Sequence, residues 1–104
     1  MDIIQNLTNT TFKDKWLFEF FQYGTKHKKI PTNLEKVLLR KLDILDNAKD
    51  ERDLISPPSN NFEKLEPKQK NYYSIRVNKQ YRLVFHYENN QINDLFLDDH
   101  SYKI

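Results

Sequence analysis

The chain has 104 residues, with 17 Lys and Arg against 15 Asp and Glu, a formal net charge of +2 and no cysteine. Its length suits one domain over residues 1–104, and the lack of cysteine excludes disulfides, thiolate metal sites and cysteine nucleophiles. A near-neutral total says little about partners; the placement of the charges decides that. No stretch approaches the roughly 20 apolar residues of a membrane span. Met1-Asp2-Ile3-Ile4 lacks a basic leader, so neither a membrane segment nor a signal peptide is expected.

In chain order, a polar start is expected to give a short strand ending near Phe12. Asp14 is placed as the N-cap of a helix carrying Trp16, Leu17, Phe20 and Phe21. That helix stops near Gly24, the only glycine, at the left-handed C-terminal position. A basic loop, Lys26-His27-Lys28-Lys29, follows. Pro31-Thr32-Asn33-Leu34-Glu35 reads as a capping box, Thr32 reaching forward and Glu35 back. Leu34, Val37, Leu38, Leu42 and Leu45 then mark one apolar face through about Asn47, which leaves Lys36, Arg40, Lys41 and Asp43 mostly on the solvated side. A turn over 50–54 leads into a loop stiffened by Pro57 and Pro58. A strand over 62–65 and a basic turn over 66–70 complete the approach to the central hairpin.

Residues 71–97 organise the rest. Tyr73, Ile75 and Val77 share one strand face, and Tyr72, Ser74 and Arg76 the other. In the next strand Tyr81, Leu83, Phe85 and Tyr87 alternate with Arg82, Val84 and His86. A three-residue loop at Asn78-Lys79-Gln80 sets Arg76 directly opposite Arg82. Like charges in that relation destabilise a sheet, so either a phosphate lies between them or each meets a carboxylate such as Asp94, Asp98 or Asp99. The spacing leaves both open. Glu88-Asn89-Asn90-Gln91 is a second turn and 92–97 the last strand. The layout is α+β: two N-terminal helices packed on one face of a small, mainly antiparallel twisted sheet.

On the open face, Arg76 and Arg82 gather with Lys64, Lys68, Lys70 and Lys79 at the rim, and Tyr72 offers a ring for a base. Lysine-rich hairpin ends also protect edge strands, which is the bland reading of the same residues. Asp98-Asp99-His100 follows the last strand. His100 suits acid/base work near neutral pH, and no metal site is expected because Asp-Asp-His has no diagnostic ligand spacing. The plainer alternative is a histidine in a polar tail. Glu63 is a further base candidate, although alternation leaves its face open.

These residues also resemble a family. Asp53-Leu54, Ser56-Pro57-Pro58, Asn60, Glu63 and Leu65 are similar to the loop and strand of HigB-type toxins of the RelE-like superfamily. Ser74-Ile75-Arg76-Val77-Asn78 with Gln80-Tyr81-Arg82 and Phe85 resembles that family's central hairpin. Asp98-x-His100 resembles its ending, and Phe12-Lys13 with Phe21 and Gly24 its beginning. The likeness spans about residues 11–100.

The resemblance implies a cytoplasmic, metal-independent and cofactor-free endoribonuclease, the toxin of a type II toxin–antitoxin pair. It implies cleavage of messenger RNA on the ribosome by attack of a ribose 2′-hydroxyl. Arg82 would stabilise the developing charge, with His100 and Glu63 as acid/base candidates. Arg76, Lys64, Lys68, Lys70, Lys79 and Tyr72 would hold RNA. Implied partners are a HigA-like helix-turn-helix antitoxin, the ribosome with its message and, through the antitoxin alone, operator DNA. Asp99 stands where the family usually has Tyr, and Ser59 and Pro67 replace customary glycines. The competing readings are an RNA- or ribosome-binding module that does not cut, and a corepressor that acts only with its antitoxin.

Overall fold

The computed structural model describes residues 10–65 and 70–99. His100, Lys68 and Pro67 lie outside them. Five strands form one mixed sheet in the order β1-β5-β4-β3-β2, with β1 Thr10–Phe12, β2 Glu63–Lys64, β3 Tyr72–Arg76, β4 Arg82–Glu88 and β5 Gln91–Asp98. β1 runs parallel to β5 and the other neighbours are antiparallel. The chain thus enters the sheet at one edge, leaves for the helices, and returns at the other.

Three helices intervene: α1 Lys15–Tyr23, α2 Glu35–Asn47 and the short α3 Glu51–Ile55. The expected pair therefore becomes three, because the turn over 50–54 closes into a helical segment capped by Asp50, whose carboxylate accepts from Arg52 N–H at 2.9 Å. α1 ends at Gly24, with φ +76°, whose N–H donates to Phe20 O while Thr25 N–H donates to Glu19 O. The capping box does not form. Thr32 opens a 3-10 turn, Thr32–Leu34, with no side-chain cap, and the Glu35 carboxylate instead accepts from Lys26 Nζ at 2.8 Å.

Apolar spacing decides which faces meet. Leu17 and Phe20 of α1, Leu34, Leu38, Leu42 and Leu45 around α2, and Leu54 of α3 share one buried cluster with Ile75, Val77, Leu83, Phe85, Ile92 and Leu95 of the sheet. The helices thus seal one sheet face. The opposite face carries the alternate residues of each strand.

Candidate active site

Hairpin geometry sets the register of that opposite face. Val77 N–H donates to Tyr81 O at 2.9 Å across the Asn78-Lys79-Gln80 loop, and Asn78 Oδ1 accepts from the N–H groups of Gln80 and Tyr81. Arg76 therefore pairs with Arg82, as the loop length predicts, and Arg82 pairs on its other side with Asp98. The next row along the sheet reads Glu63, Ser74, Val84 and Phe96, and a third reads Tyr72, His86 and Asn93. Arg76 is exposed, whereas Arg82 retains only 9% of its surface. One guanidinium stands at the mouth and the other in a drier position, where its charge acts more strongly.

The three carboxylate candidates take distinct places. Asp98 is the cross-strand neighbour of Arg82. Asp94 sits at a bulge in β5 with φ +55°, and its carboxylate accepts from the Tyr72 hydroxyl at 3.0 Å. Asp99 instead lines a cleft with Trp16, Lys28, Lys29 and Tyr81 at the end of the sheet. Neither it nor Asp94 is the register partner of an arginine.

Phe62 settles the face of Glu63. Its ring stacks on Tyr73 at 5.1 Å and packs against the core, so the following Glu63 rises on the opposite, arginine-bearing face. Glu63 Oε2 accepts from Asn61 Nδ2 at 3.3 Å. The same alternation moves Lys64 away: it pairs with Tyr73 and rises on the helix side, which corrects its expected place on the open-face rim. Lys70 and Lys79 are exposed at the two ends of β3, one before it and one in the hairpin loop. Lys68 and His100 fall outside the described residues.

Tyr72 is held at both its hydroxyl and its ring. Its hydroxyl is held by Asp94 and its ring meets the edge of His86 at 5.3 Å. Burial first, then the Asp94 hydrogen bond and charge, push its phenol above the ordinary tyrosine range.

Two residues on this face were not singled out as site candidates. His86 is half-buried beside Tyr72, with Nε2 3.6 Å from Glu88 Oε1. It shares strand parity with Arg82, which was the available signal. Lys13 places Nζ 4.6 Å from the Phe96 ring centroid, adding a cation from β1's exit. Only the parallel β1–β5 pairing reveals that contact. No cluster of three or more His, Asp or Glu able to hold a metal occurs among the described residues.

The fold and this face define a small α+β domain with one sheet surface sealed by helices and the other carrying the Arg76–Arg82 cross-strand pair with Asp98 beside Arg82. A family model described as the RelE-like toxin of type II toxin–antitoxin system HigB matches residues 10–100. The chain is 50% identical over 91 residues to Toxin HigB-1 of Vibrio cholerae, covering 88% of this chain and 96% of that one. It is also 56% identical over 99 residues to an uncharacterized protein of Haemophilus influenzae, covering 95% and 98% respectively. Among solved structures it resembles a chain of the YoeB-YefM complex from Staphylococcus aureus, with a TM-score of 0.56 and 24% identity over 88% of this chain and 94% of that chain. That last likeness concerns the fold alone. The chain belongs to the HigB-like family of RelE-like toxins of type II toxin–antitoxin systems.

Proposed function

We propose that this toxin is a ribosome-dependent messenger RNA endonuclease that acts in the cytoplasm and is restrained by a helix-turn-helix antitoxin of the HigA kind. The observation that carries the reading is the Arg76–Arg82 cross-strand pair on the open sheet face. Two adjacent guanidiniums repel each other and gain from a phosphate between them. Arg82, in the drier position, faces the charge that develops on the phosphorane oxygens. Arg76, Lys70 and Lys79 hold the RNA backbone.

In the reaction the ribose O2′–P bond forms as the P–O5′ bond breaks, leaving a cyclic phosphate and a 5′-hydroxyl. Glu63 takes the 2′-hydroxyl proton and His100 supplies one to the departing oxygen. Proton transfer and the guanidiniums complete this balance.

Induced expression in a bacterial host, with primer extension on a reporter message, tests the reading. Wild-type protein should arrest growth and break the message in frame. Arg82→Ala should remain soluble and lower cleavage about 10²–10³-fold. His100→Ala should also slow it. Soluble wild-type protein that leaves growth and messages intact would overturn the nuclease and favour a module that binds without cutting.

A further inference from the structure

We propose that Ser74 is a positioning residue for Glu63: its hydroxyl donates to the Glu63 carboxylate and holds it in place to accept the proton from the substrate. This inference rests on the nuclease reading above. Ser74 lies mid-strand in β3, 1% exposed, and its Oγ has no hydrogen-bond partner among the described residues. Buried hydroxyls almost always find a partner. A group that goes without one in the resting fold points to a bond made in another state of the site.

The register limits what that bond can be. On one side of Ser74 stands Val84, which has no polar side-chain atom. Along the same face of β3, Arg76 offers donors only and the Tyr72 hydroxyl is engaged with Asp94. On the remaining side, directly across the strand pair, stands Glu63. Side chains so paired have Cβ atoms about 4.5–5.5 Å apart, so one rotamer change brings a Glu63 oxygen to Ser74 Oγ. What Glu63 gives up is a 3.3 Å bond at the long end of the range, from the amide of Asn61. Moving from Asn61 to Ser74 carries the carboxylate inward from the sheet edge along the row that adjoins the Arg76–Arg82 pair.

Single-turnover cleavage on message-programmed ribosomes, with Ser74→Ala, Ser74→Thr, Glu63→Ala and the Ser74→Ala/Glu63→Ala double variant, tests this. Ser74→Ala should slow the step roughly tenfold to a hundredfold, the loss expected for a hydrogen bond to a charged group. The toxin concentration giving half-maximal rate should not change. Its melting temperature should equal or exceed the wild type's, because the substitution removes a buried hydroxyl without a partner. Ser74→Thr keeps the donor and should restore the rate. The double variant should cleave no more slowly than Glu63→Ala alone.

Wild-type cleavage by Ser74→Ala overturns the inference, as does a Ser74 effect that multiplies in full with that of Glu63→Ala. A marked fall in melting temperature assigns Ser74 a structural role and overturns it too. Wild-type protein that does not cut removes the nuclease reading itself, an outcome distinct from an active Ser74→Ala.

Discussion

Lys41, 5% exposed, donates from Nζ to Asn60 Oδ1 at 2.6 Å, and Asn60 Nδ2 donates to the carbonyls of Leu54 and Ser56 at 3.0 and 3.2 Å. These bonds tie α2 to the loop that delivers β2 and Glu63. Asn60→Ala should therefore destabilise the fold by about 3 kcal/mol, since it strands a buried ammonium and two carbonyls; urea denaturation measures the loss. Burial, with the charge of Arg40 second, lowers the pKa of Lys41 from 10.5. The folded state thus releases this proton before the unfolded chain does, and Lys41's contribution to stability rises with pH through the window ending near 10.5. Burial instead pushes the Tyr72 and Tyr87 phenols up, so their contribution falls as pH passes the ordinary tyrosine range. The stability difference between wild type and Lys41→Met cancels the tyrosines and should grow as pH approaches 10.5. A flat difference would refute the assignment. Helical spacing groups Lys41 with solvated Lys36 and Arg40, and periodicity within one helix carries no information about the loop that returns to cover it.

Element boundaries were legible where one residue type was chemically obliged. Gly24 meets nothing within 4 Å of an added Cβ, so Gly24→Ala tests backbone conformation alone. At φ +76° the alanine should cost about 1–2 kcal/mol, and asparagine less, in thermal melts. Equal stability of all three would show that the left-handed cap is not what ends α1. The Asn78-Lys79-Gln80 loop likewise fixed the Arg76–Arg82 register, because loop length and strand parity leave little choice. Thr32 and Glu35 misled, since the motif depends on a glutamate that Lys26, nine residues earlier, engages instead. The β5 bulge at Asp94 was not legible either. Its left-handed φ is matched by Thr11, whose hydroxyl accepts from Asp94 N–H at 3.2 Å and donates to Asn93 Oδ1 at 3.1 Å, a contact spanning most of the chain. The open-face arginines were thus readable from local spacing, whereas the final place of Tyr72's hydroxyl depended on that distant strand.

Over the whole molecule, a charge of +2 leaves the placement of the individual cations to decide what each contributes. Three cations of the helical side occur in ion pairs, Lys15 with Glu19, Lys26 with Glu35 and Arg52 with Asp50. The open face carries Arg76, Arg82 and Lys13 together with the carboxylates of Glu63, Asp94 and Asp98, with Lys70 and Lys79 exposed at the two ends of β3. The two arginines should then separate in experiment. If the proposed function holds, exposed Arg76 acts on binding, because a guanidinium on a backbone phosphate releases that phosphate's counterions whichever base it carries. Binding to ribosomes carrying a message with 2′-deoxyribose at the cleavage position isolates this step, since the nucleophile is missing. Arg76→Ala should weaken binding across message sequences alike and flatten the slope of log affinity against log salt by about 0.7, the value for one single-strand phosphate contact. Lys79→Ala should flatten it by a similar or smaller amount. Arg82→Ala should leave most of the salt dependence in place while lowering cleavage of the ribose message about 10²–10³-fold. If Arg76→Ala keeps the full slope, the phosphate does not lie at the mouth of the pair, and the open face must take its RNA along another row of the sheet.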